Sequence, residues 1–304
     1  MTNDPCKIFT FAQFHGHIAQ HPIFRPLPKM PFEKRPSAKM KFSGAGKNPY
    51  TLQVESKWQL DYHDQSVLAV LLAICAPDHR GLEVEPRHTK RASLKEDAAT
   101  GKLDTMSVEV NLRELLQLLE WSTTGQSYTR LGECLKRLQN TILNYGPKRG
   151  DSHQTHLIGV LGLIEPTKRQ SFDKKKERQG PITVVLSSLL ASVILKKYEA
   201  GVIIHHLSER RLLSQCKKVP CQVALGLYSQ LVCLVKQGGR EKFQLQTLLR
   251  RIYALEKDST GTTDQRKDVL KTINHWPLEK WSFEIEGRAK DARVWVNRPE
   301  ATPA

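Results

Sequence analysis

A chain of 304 residues is about twice as long as a typical single domain, so two domains are expected. Its 47 Lys and Arg residues against 31 Asp and Glu give a formal net charge of +16, which attracts polyanions and favours nucleic acid as the partner. The sequence contains no apolar stretch of about 20 residues, no basic amphipathic helix at a terminus and no signal peptide. We therefore expect no membrane partner and a cytoplasmic location.

The six cysteines are scattered along the chain, which is typical of a protein kept in a reducing cytoplasm. Cys216 and Cys221 are the nearest pair, but their spacing matches no zinc knuckle. His205 and His206 precede them without the interval that zinc binding requires. We expect neither a structural metal ion nor another cofactor.

Residues 1–50 are rich in Pro, Lys and His and follow neither the helix period nor the strand period over any distance. We interpret this segment as a flexible basic N-terminal arm. It serves either as a solubilising tail or as a peptide that docks a partner and adds non-specific affinity for phosphates.

Regular structure is predicted from Asp61, where apolar residues recur at helical spacing until Pro77 ends the run. The alternating residues 105–110 predict a strand, and Asn111 is placed to cap a short leucine-rich helix. Residues 122–125, Ser-Thr-Thr-Gly, then predict a tight turn and a second N-cap.

The clearest helix in the sequence follows this turn. Its apolar stripe, at spacings of three and four residues, consists of Tyr128, Leu131, Leu135, Leu138 and Ile142. Its opposite face carries Gln126, Ser127, Arg130, Arg137 and Asn140, and Pro147 ends the helix. A short helix, a polar turn and a longer helix with a basic, amide-rich face predict a helix-turn-helix whose second helix reads base edges in the major groove.

A long cationic loop follows the helix-turn-helix, between a strand over residues 156–164 and a strand over residues 181–186. The predicted phosphate contacts in this loop are Lys168, Arg169, Lys174, Lys175 and Lys176. We interpret the hairpin as a wing, whose phosphate contacts would fix the register on DNA without reading sequence.

The same order of elements recurs in the C-terminal half. Residues 219–235 predict an apolar helix, and residues 245–252 a short helix. After the turn at residues 259–261, Thr262 or Thr263 is the predicted N-cap of a second reading helix. Its predicted DNA contacts are Gln265, Arg266, Lys267 and Lys271, and a final hairpin, the second wing, adds Arg288, Lys290 and Arg293.

Two segments are similar to enzymatic motifs without completing them. Residues 43–48 are similar to a phosphate-binding loop, but Lys41 stands where its first glycine is required, and Asn48 replaces the magnesium-binding Ser or Thr. His15 and His17 are similar to the metal-binding pair of rolling-circle nickases, but no following tyrosine is clearly poised as the nucleophile. We expect that the protein is not an enzyme, and a nickase is one alternative.

Three stretches resemble the plasmid replication initiators of the tandem winged-helix type, the RepC and TrfA group. They are residues 61–68, residues 220–228, and the helix over 266–276 with the strands that begin at Trp281 and end at Val296. The resemblance implies binding to direct repeats (iterons) at an origin, opening of an adjacent AT-rich segment, and recruitment of the replicative helicase without an ATPase of its own. It also implies a homodimer that does not activate the origin.

The sequence thus predicts an α+β protein with two winged-helix domains in tandem: residues 1–50 form the arm, 51–186 the first domain and 187–304 the second. The predicted function is a replication initiator whose partner is double-stranded DNA. A winged-helix transcriptional repressor is the main alternative. It is disfavoured because a regulator usually carries an effector or dimerisation domain beside one winged helix, whereas two reading units fill this chain.

Overall fold

The structure of the protein, a computed structural model, describes residues 11–28, 30–44, 49–75, 90–94, 105–149, 152–161, 181–194, 202–256, 259–287 and 291–300. The helices are α1 (Gly16–Ala19), α2 (Tyr62–Cys75), α3 (Leu112–Leu118), α4 (Gly125–Gln139), α5 (Ser188–Ile194), α6 (Leu207–Gln215), α7 (Cys221–Leu234), α8 (Leu245–Tyr253) and α9 (Thr263–Asn274). The strands are β1 (Phe11–His15), β2 (Ala38–Gly44), β3 (Tyr50–Ser56), β4 (Lys90–Leu94), β5 (Thr105–Val110), β6 (Thr141–Pro147), β7 (His153–His156), β8 (Ile158–Leu161), β9 (Ile182–Leu186), β10 (Val202–His206), β11 (Arg240–Gln244), β12 (Ser282–Glu286) and β13 (Arg293–Asn297).

The first predicted helix-turn-helix, formed by α3 and α4, is positioned by a buried helix and a sheet. α2 is buried over nearly its whole length, and β5 leads directly into α3, whose N-cap Asn111 accepts a hydrogen bond from the Arg113 backbone amide. α4 follows after a short turn. β8 and β9 pair antiparallel, and β9 also pairs with β5, so the sheet runs β4-β5-β9-β8. The predicted strand, capped helix, second helix and pair of hairpin strands are confirmed.

The second half repeats this order with α7, β11, α8, α9, β12 and β13. Thr262 is the N-cap of α9 and forms a reciprocal capping box with Gln265. The sheet runs β11-β13-β12, so the last strand lies between the other two, as β9 does between β5 and β8. The sequence did not predict β11, because three of its five residues, Arg240, Glu241 and Lys242, are exposed and charged.

An additional four-stranded sheet, the inserted sheet, is ordered β2-β3-β6-β7: β2 and β3 precede α2, and β6 and β7 follow α4. The sequence predicts a helix through Ile142, but α4 ends at Gln139 and the chain enters β6 at Thr141. Thr141 and Ile142 are β-branched, which favours the strand. Leu143 is fully buried, and β6 pairs with β3 along all seven of its residues. Ile142 therefore continues the three- and four-residue spacing of the α4 stripe by chance, although it belongs to a strand.

The interpretation of residues 1–50 as a flexible arm is wrong for the described part of that segment. β1 pairs with β10 over five residues, and Phe14, Ile18 and Ile23 are buried in the core. β2 and β3 form two strands of the inserted sheet. The local sequence pattern does not reveal that this segment is folded, because the pairing partner of β1 lies at residues 202–206, far along the chain.

One continuous cluster of buried apolar side chains contains residues from both predicted domains, including Leu68 and Leu135 from the first and Leu225 and Leu248 from the second. The boundary predicted after residue 186 coincides with the end of β9 and stays a prediction. In the part of the chain that the structure describes, no helix has the length and apolar character needed to cross a membrane.

A cluster of histidine and tyrosine side chains fastens the N-terminal segment to the inserted sheet. His21 Nε2 lies 2.8 Å from the Tyr50 hydroxyl, and His17 Nδ1 lies 3.0 Å from the Tyr145 hydroxyl. Burial, with a smaller contribution from the charge of His17, lowers the pKa of His15 to about 3 and that of His21 to about 4. The folded protein therefore binds protons at these rings more weakly than the unfolded chain does.

We predict that the free energy of unfolding falls as the pH drops from about 6.5 toward about 4. Each such histidine contributes up to about 1.4 kcal/mol per pH unit, because protonation favours the unfolded state in that window. Urea unfolding at pH 7, 6 and 5 measures the fall. His21→Gln should reduce the pH dependence, whereas His153→Gln, at an exposed histidine of β7, should leave it unchanged. An equal fall in both variants would contradict the assignment.

Candidate nucleic-acid interface

The first candidate surface is the exposed side of α4. Gln126 and Arg130 are exposed and lie one helical turn apart, so both face solvent from the first half of the helix. Ser127 is half-buried, and its hydroxyl lies 2.8 Å from that of Ser122 in the preceding turn. Ser127 therefore stabilises the turn, while Gln126 and Arg130 present donor groups outward.

Arg130 is held in place by an aromatic ring. Its guanidinium carbon lies 4.5 Å from the centroid of the Trp121 ring, which belongs to the turn between α3 and α4. A cation over an aromatic face is favourable by roughly 0.5–1 kcal/mol at an exposed site. The contact limits the conformations of a long side chain and keeps its charge at the N-terminal half of α4, the part of a helix that enters the major groove in helix-turn-helix proteins.

Arg137 does not belong to this surface, and its prediction as a DNA contact is wrong. Its residue exposure is 1 %, and its Nε and Nη2 atoms donate to the Asp64 carboxylate of α2 at 2.8–3.0 Å. Burial by itself would lower the pKa of Arg137, but the Asp64 carboxylate outweighs burial and raises it. Arg137 and Asp64 therefore form an internal ion pair that links α4 to α2.

Two further polar residues of α4 face outward, Thr129 and Lys136, and Asn140 follows directly after the last residue of the helix. Thr129 and Asn140 are exposed, and Lys136 is half-buried, with its ammonium group 5.8 Å from the Phe32 ring centroid. A spacing of three residues from Gln126 could have identified Thr129 from the sequence, and a spacing of four residues from Asn140 could have identified Lys136.

The second candidate surface is the exposed side of α9. Lys267 and Lys271 are exposed and four residues apart, and Asn274 continues the same stripe toward the C-terminus. Asn274 was missed by sequence reasoning, although its spacing from Lys271 was available. These three side chains offer donors to a groove.

Arg266 and Gln265 form hydrogen bonds within the second predicted helix-turn-helix. Arg266 Nη2 donates to the Thr260 carbonyl oxygen at 2.8 Å, and the Gln265 side-chain oxygen accepts the Thr262 backbone amide at 2.8 Å. Both side chains therefore shape the turn before α9. In this arrangement Lys267 and Lys271 are better placed than Arg266 to reach DNA.

Most of the predicted wing contacts lie outside the described residues. These are Lys168, Arg169, Lys174, Lys175 and Lys176 of the first wing and Arg288 and Lys290 of the second. Arg293, at the first position of β13, is exposed. The strands that bracket both loops are paired, β8 with β9 and β12 with β13.

The outer face of the second sheet carries a half-buried tryptophan between two cations, which the sequence did not single out. The guanidinium of Arg240 and the ammonium of Lys242 lie 4.5 Å and 4.6 Å from the Trp295 ring centroid. Both cations also pair with carboxylates, Arg240 with Glu284 at 2.8 Å and Lys242 with Glu286 at 2.7 Å. This face is internally neutralised, so its attraction for phosphates is weaker than that of α9.

The histidine pair that is similar to a nickase motif lies in a packed environment. His15 is fully buried, and the His17 ring stacks on Tyr50 at a centroid distance of 3.5 Å. Among the described residues, no group of three or more His, Cys, Asp or Glu side chains is arranged to hold a metal ion. Both histidines contribute to packing of the N-terminal segment.

Comparison with protein families matches residues 92–199, about a third of the chain, to the TrfA protein family. The resemblance of the sequence to the TrfA group is thereby confirmed over that segment, which contains the first helix-turn-helix. No curated protein sequence matches the chain.

Two solved structures share the fold. One is a structure of domains 2 and 3 of RctB, determined on selenomethionine derivatives: it has a TM-score of 0.54 and 11 % identity, over 93 % of this chain and 98 % of that chain. A second structure of RctB domains 2–3 has a TM-score of 0.53 and 11 % identity, over 93 % and 96 %. At this identity the likeness concerns the fold alone, and it extends over both halves of the protein.

We predict that Arg137→Ala lowers the free energy of unfolding by about 3–5 kcal/mol, because it removes the doubly hydrogen-bonded cationic partner of the buried Asp64 carboxylate. Arg130→Ala, the matched change at an exposed position of the same helix, should cost less than about 1 kcal/mol. Urea unfolding of both variants measures the difference. Unchanged stability of Arg137→Ala together with lost DNA binding would restore Arg137 to the DNA-contacting set.

Proposed function

We propose that the protein is a replication initiator that binds duplex DNA at a plasmid origin through two winged helices. The observation that carries the proposal is the repeated order helix, strand, helix, helix, strand, strand, with the same strand arrangement in both sheets. In each repeat the second helix of the helix-turn-helix exposes cationic and amide side chains. A net charge of +16 favours a polyanionic partner.

In a helix-turn-helix, the second helix lies in the major groove with its N-terminal residues at base edges. We assign this role to α4 and α9. Arg130 can donate two hydrogen bonds to guanine, and Gln126 can pair with adenine. On α9, Lys267 and Lys271 supply the groove contacts, since Arg266 is bonded to the preceding turn.

The wings supply affinity rather than sequence reading. We assign phosphate contacts to Lys168, Arg169, Lys174, Lys175 and Lys176 in the first wing and to Arg288, Lys290 and Arg293 in the second. Phosphate contacts release counterions from the DNA, so binding that depends on them weakens steeply as salt increases. They also fix the register in which α4 and α9 meet the bases.

The match of residues 92–199 to the TrfA family supports initiation of replication over transcriptional repression. We propose that the sites are direct repeats at an origin, and that binding assists opening of an adjacent AT-rich segment and recruitment of a replicative helicase. The protein would act without ATP hydrolysis, since residues 43–48 do not complete a phosphate-binding loop. It would not cleave DNA, since its histidine pair is engaged in packing against Tyr50 and Tyr145.

We predict that Arg130→Ala weakens binding to a cognate duplex by about 1–3 kcal/mol and has much less effect on random duplex, because it removes a base contact. The cognate duplex is obtained by selection from a random library with the full chain. Replacing Lys174, Lys175 and Lys176 together should weaken both duplexes alike and reduce the salt slope by up to about one unit per lost phosphate contact.

The matched control is Lys236→Ala, which removes one exposed charge after α7, outside both helix-turn-helix motifs, and should leave both affinities nearly unchanged. Equal losses on cognate and random DNA for Arg130→Ala would mean that α4 only anchors the backbone. Binding without sequence preference, with a salt response near zero, would contradict the proposed function as a whole.

We also predict that supercoiled origin plasmid stays intact when incubated with the protein and Mg²⁺ or Mn²⁺, because His15 and His17 serve packing. Agarose electrophoresis under denaturing conditions detects nicked strands. Nicking that disappears in His17→Ala would instead establish the rolling-circle alternative.

A further inference from the structure

The junction between the two repeats is a close helix-to-helix contact. A Cβ atom added to Gly226 of α7 would lie 2.6 Å from the Tyr62 ring of α2, so the ring occupies the space that a larger side chain would fill. The Tyr62 hydroxyl donates to the Ile252 carbonyl oxygen of α8 at 3.2 Å, and its backbone amide donates to Gln222 Oε1 at 3.0 Å. One residue of the first repeat is thus fixed at three points of the second.

A buried arginine crosses the same junction. Arg210 of α6 is 3 % exposed and donates to Gln65 Oε1 at 3.1 Å and Ser66 Oγ at 3.0 Å, both on α2, and to Ser229 Oγ at 3.0 Å on α7. Among the described residues, Arg210 forms no ion pair with a carboxylate, and burial lowers its pKa to about 10. A buried cation that depends on hydrogen bonds to two helices is costly to displace from either of them.

The N-terminal segment adds a third connection, because it contacts both repeats. β1 pairs with β10, and the Ala19 carbonyl oxygen accepts a hydrogen bond from the Cys233 thiol of α7 at 3.4 Å. On the other side, Gln59 Nε2 donates to the Ile23 carbonyl oxygen at 3.1 Å. This segment therefore ties α7 to the residues that precede α2.

We infer that this junction makes the two helix-turn-helix motifs one rigid reading head, which accepts two half-sites at a single spacing. Tyr62, Gly226 and Arg210 act as positioning residues, since they set where α9 lies relative to α4. The inference rests on the proposed function. In a rigid body, moving one half-site by about five base pairs turns it to the opposite side of the DNA, beyond reach of the second helix. Flexibly linked units would tolerate such a change with a small loss of effective concentration.

The test uses the full chain and the duplex selected from a random library, with zero, one, two or five base pairs inserted between its half-sites. Wild-type protein should lose about a hundredfold or more in affinity with two or five inserted pairs, down to the affinity of one half-site, because simultaneous engagement is lost. Similar affinities at every spacing would overturn the inference while leaving the proposed function intact. Failure to bind any duplex would contradict the proposed function instead.

A pair of glycine variants separates positioning from folding. Gly226→Ala should shift the Tyr62 ring and α2 against α7, so the ratio of affinities between the selected spacing and the two-pair insertion falls toward one while single half-site binding is kept. Gly159→Ala on β8, where a Cβ would meet Val185 at an ordinary 3.6 Å, should keep the wild-type ratio. If Gly226→Ala unfolds, Ser229→Ala, which removes one acceptor of Arg210, serves in its place. Retention of the wild-type ratio by a folded junction variant would count against these positioning roles.

Discussion

The first turn of α2 is the constraint on which the rest of the structure depends. Asp64 accepts the guanidinium of Arg137 from α4, Gln65 and Ser66 accept that of Arg210 from α6, and Tyr62 packs on Gly226 of α7. Neighbouring residues of one helix therefore hold a proposed reading helix on one side and the whole second repeat on the other. Asp64, Gln65 and Arg210 are buried, so removing a hydrogen bond among these groups would leave a polar atom without that partner, which costs more than the bond itself contributes.

The large cationic surplus is divided between two physical roles. Arg137 and Arg210 are buried and hydrogen-bonded across helices, so they organise the core and cannot contact DNA directly. Arg130, Lys267 and Lys271 are exposed, and their charge is available to DNA. Net charge indicates a polyanionic partner, but the burial of each side chain decides which cations can contact that partner.

The N-terminal segment and the inserted sheet illustrate how long-range pairing overrides local pattern. Residues 11–15 become a strand because β10 offers its free edge, and residues 141–147 become a strand because β3 lies beside them. The segment matched by the TrfA family begins at residue 92, after β2 and β3, and it includes β6 and β7. The additional sheet thus enlarges the first repeat by pairing two strands that precede the matched segment with two strands that lie within it.

The sequence alone indicated a polyanionic partner and the order of elements in both predicted helix-turn-helix motifs. Charge, apolar period and caps such as Asn111 and Thr262 are local properties that a chain carries before it folds. The bracketing strands of both hairpins followed from the same kind of signal. Tertiary structure alone decided that Arg137 is internal, that Arg266 is hydrogen-bonded to the turn before α9, and that residues 11–24 connect the two repeats. The physical reason is that an arginine on a helix has the same sequence signature whether its face meets water or a carboxylate from another helix, and only the packed chain brings Asp64 to Arg137.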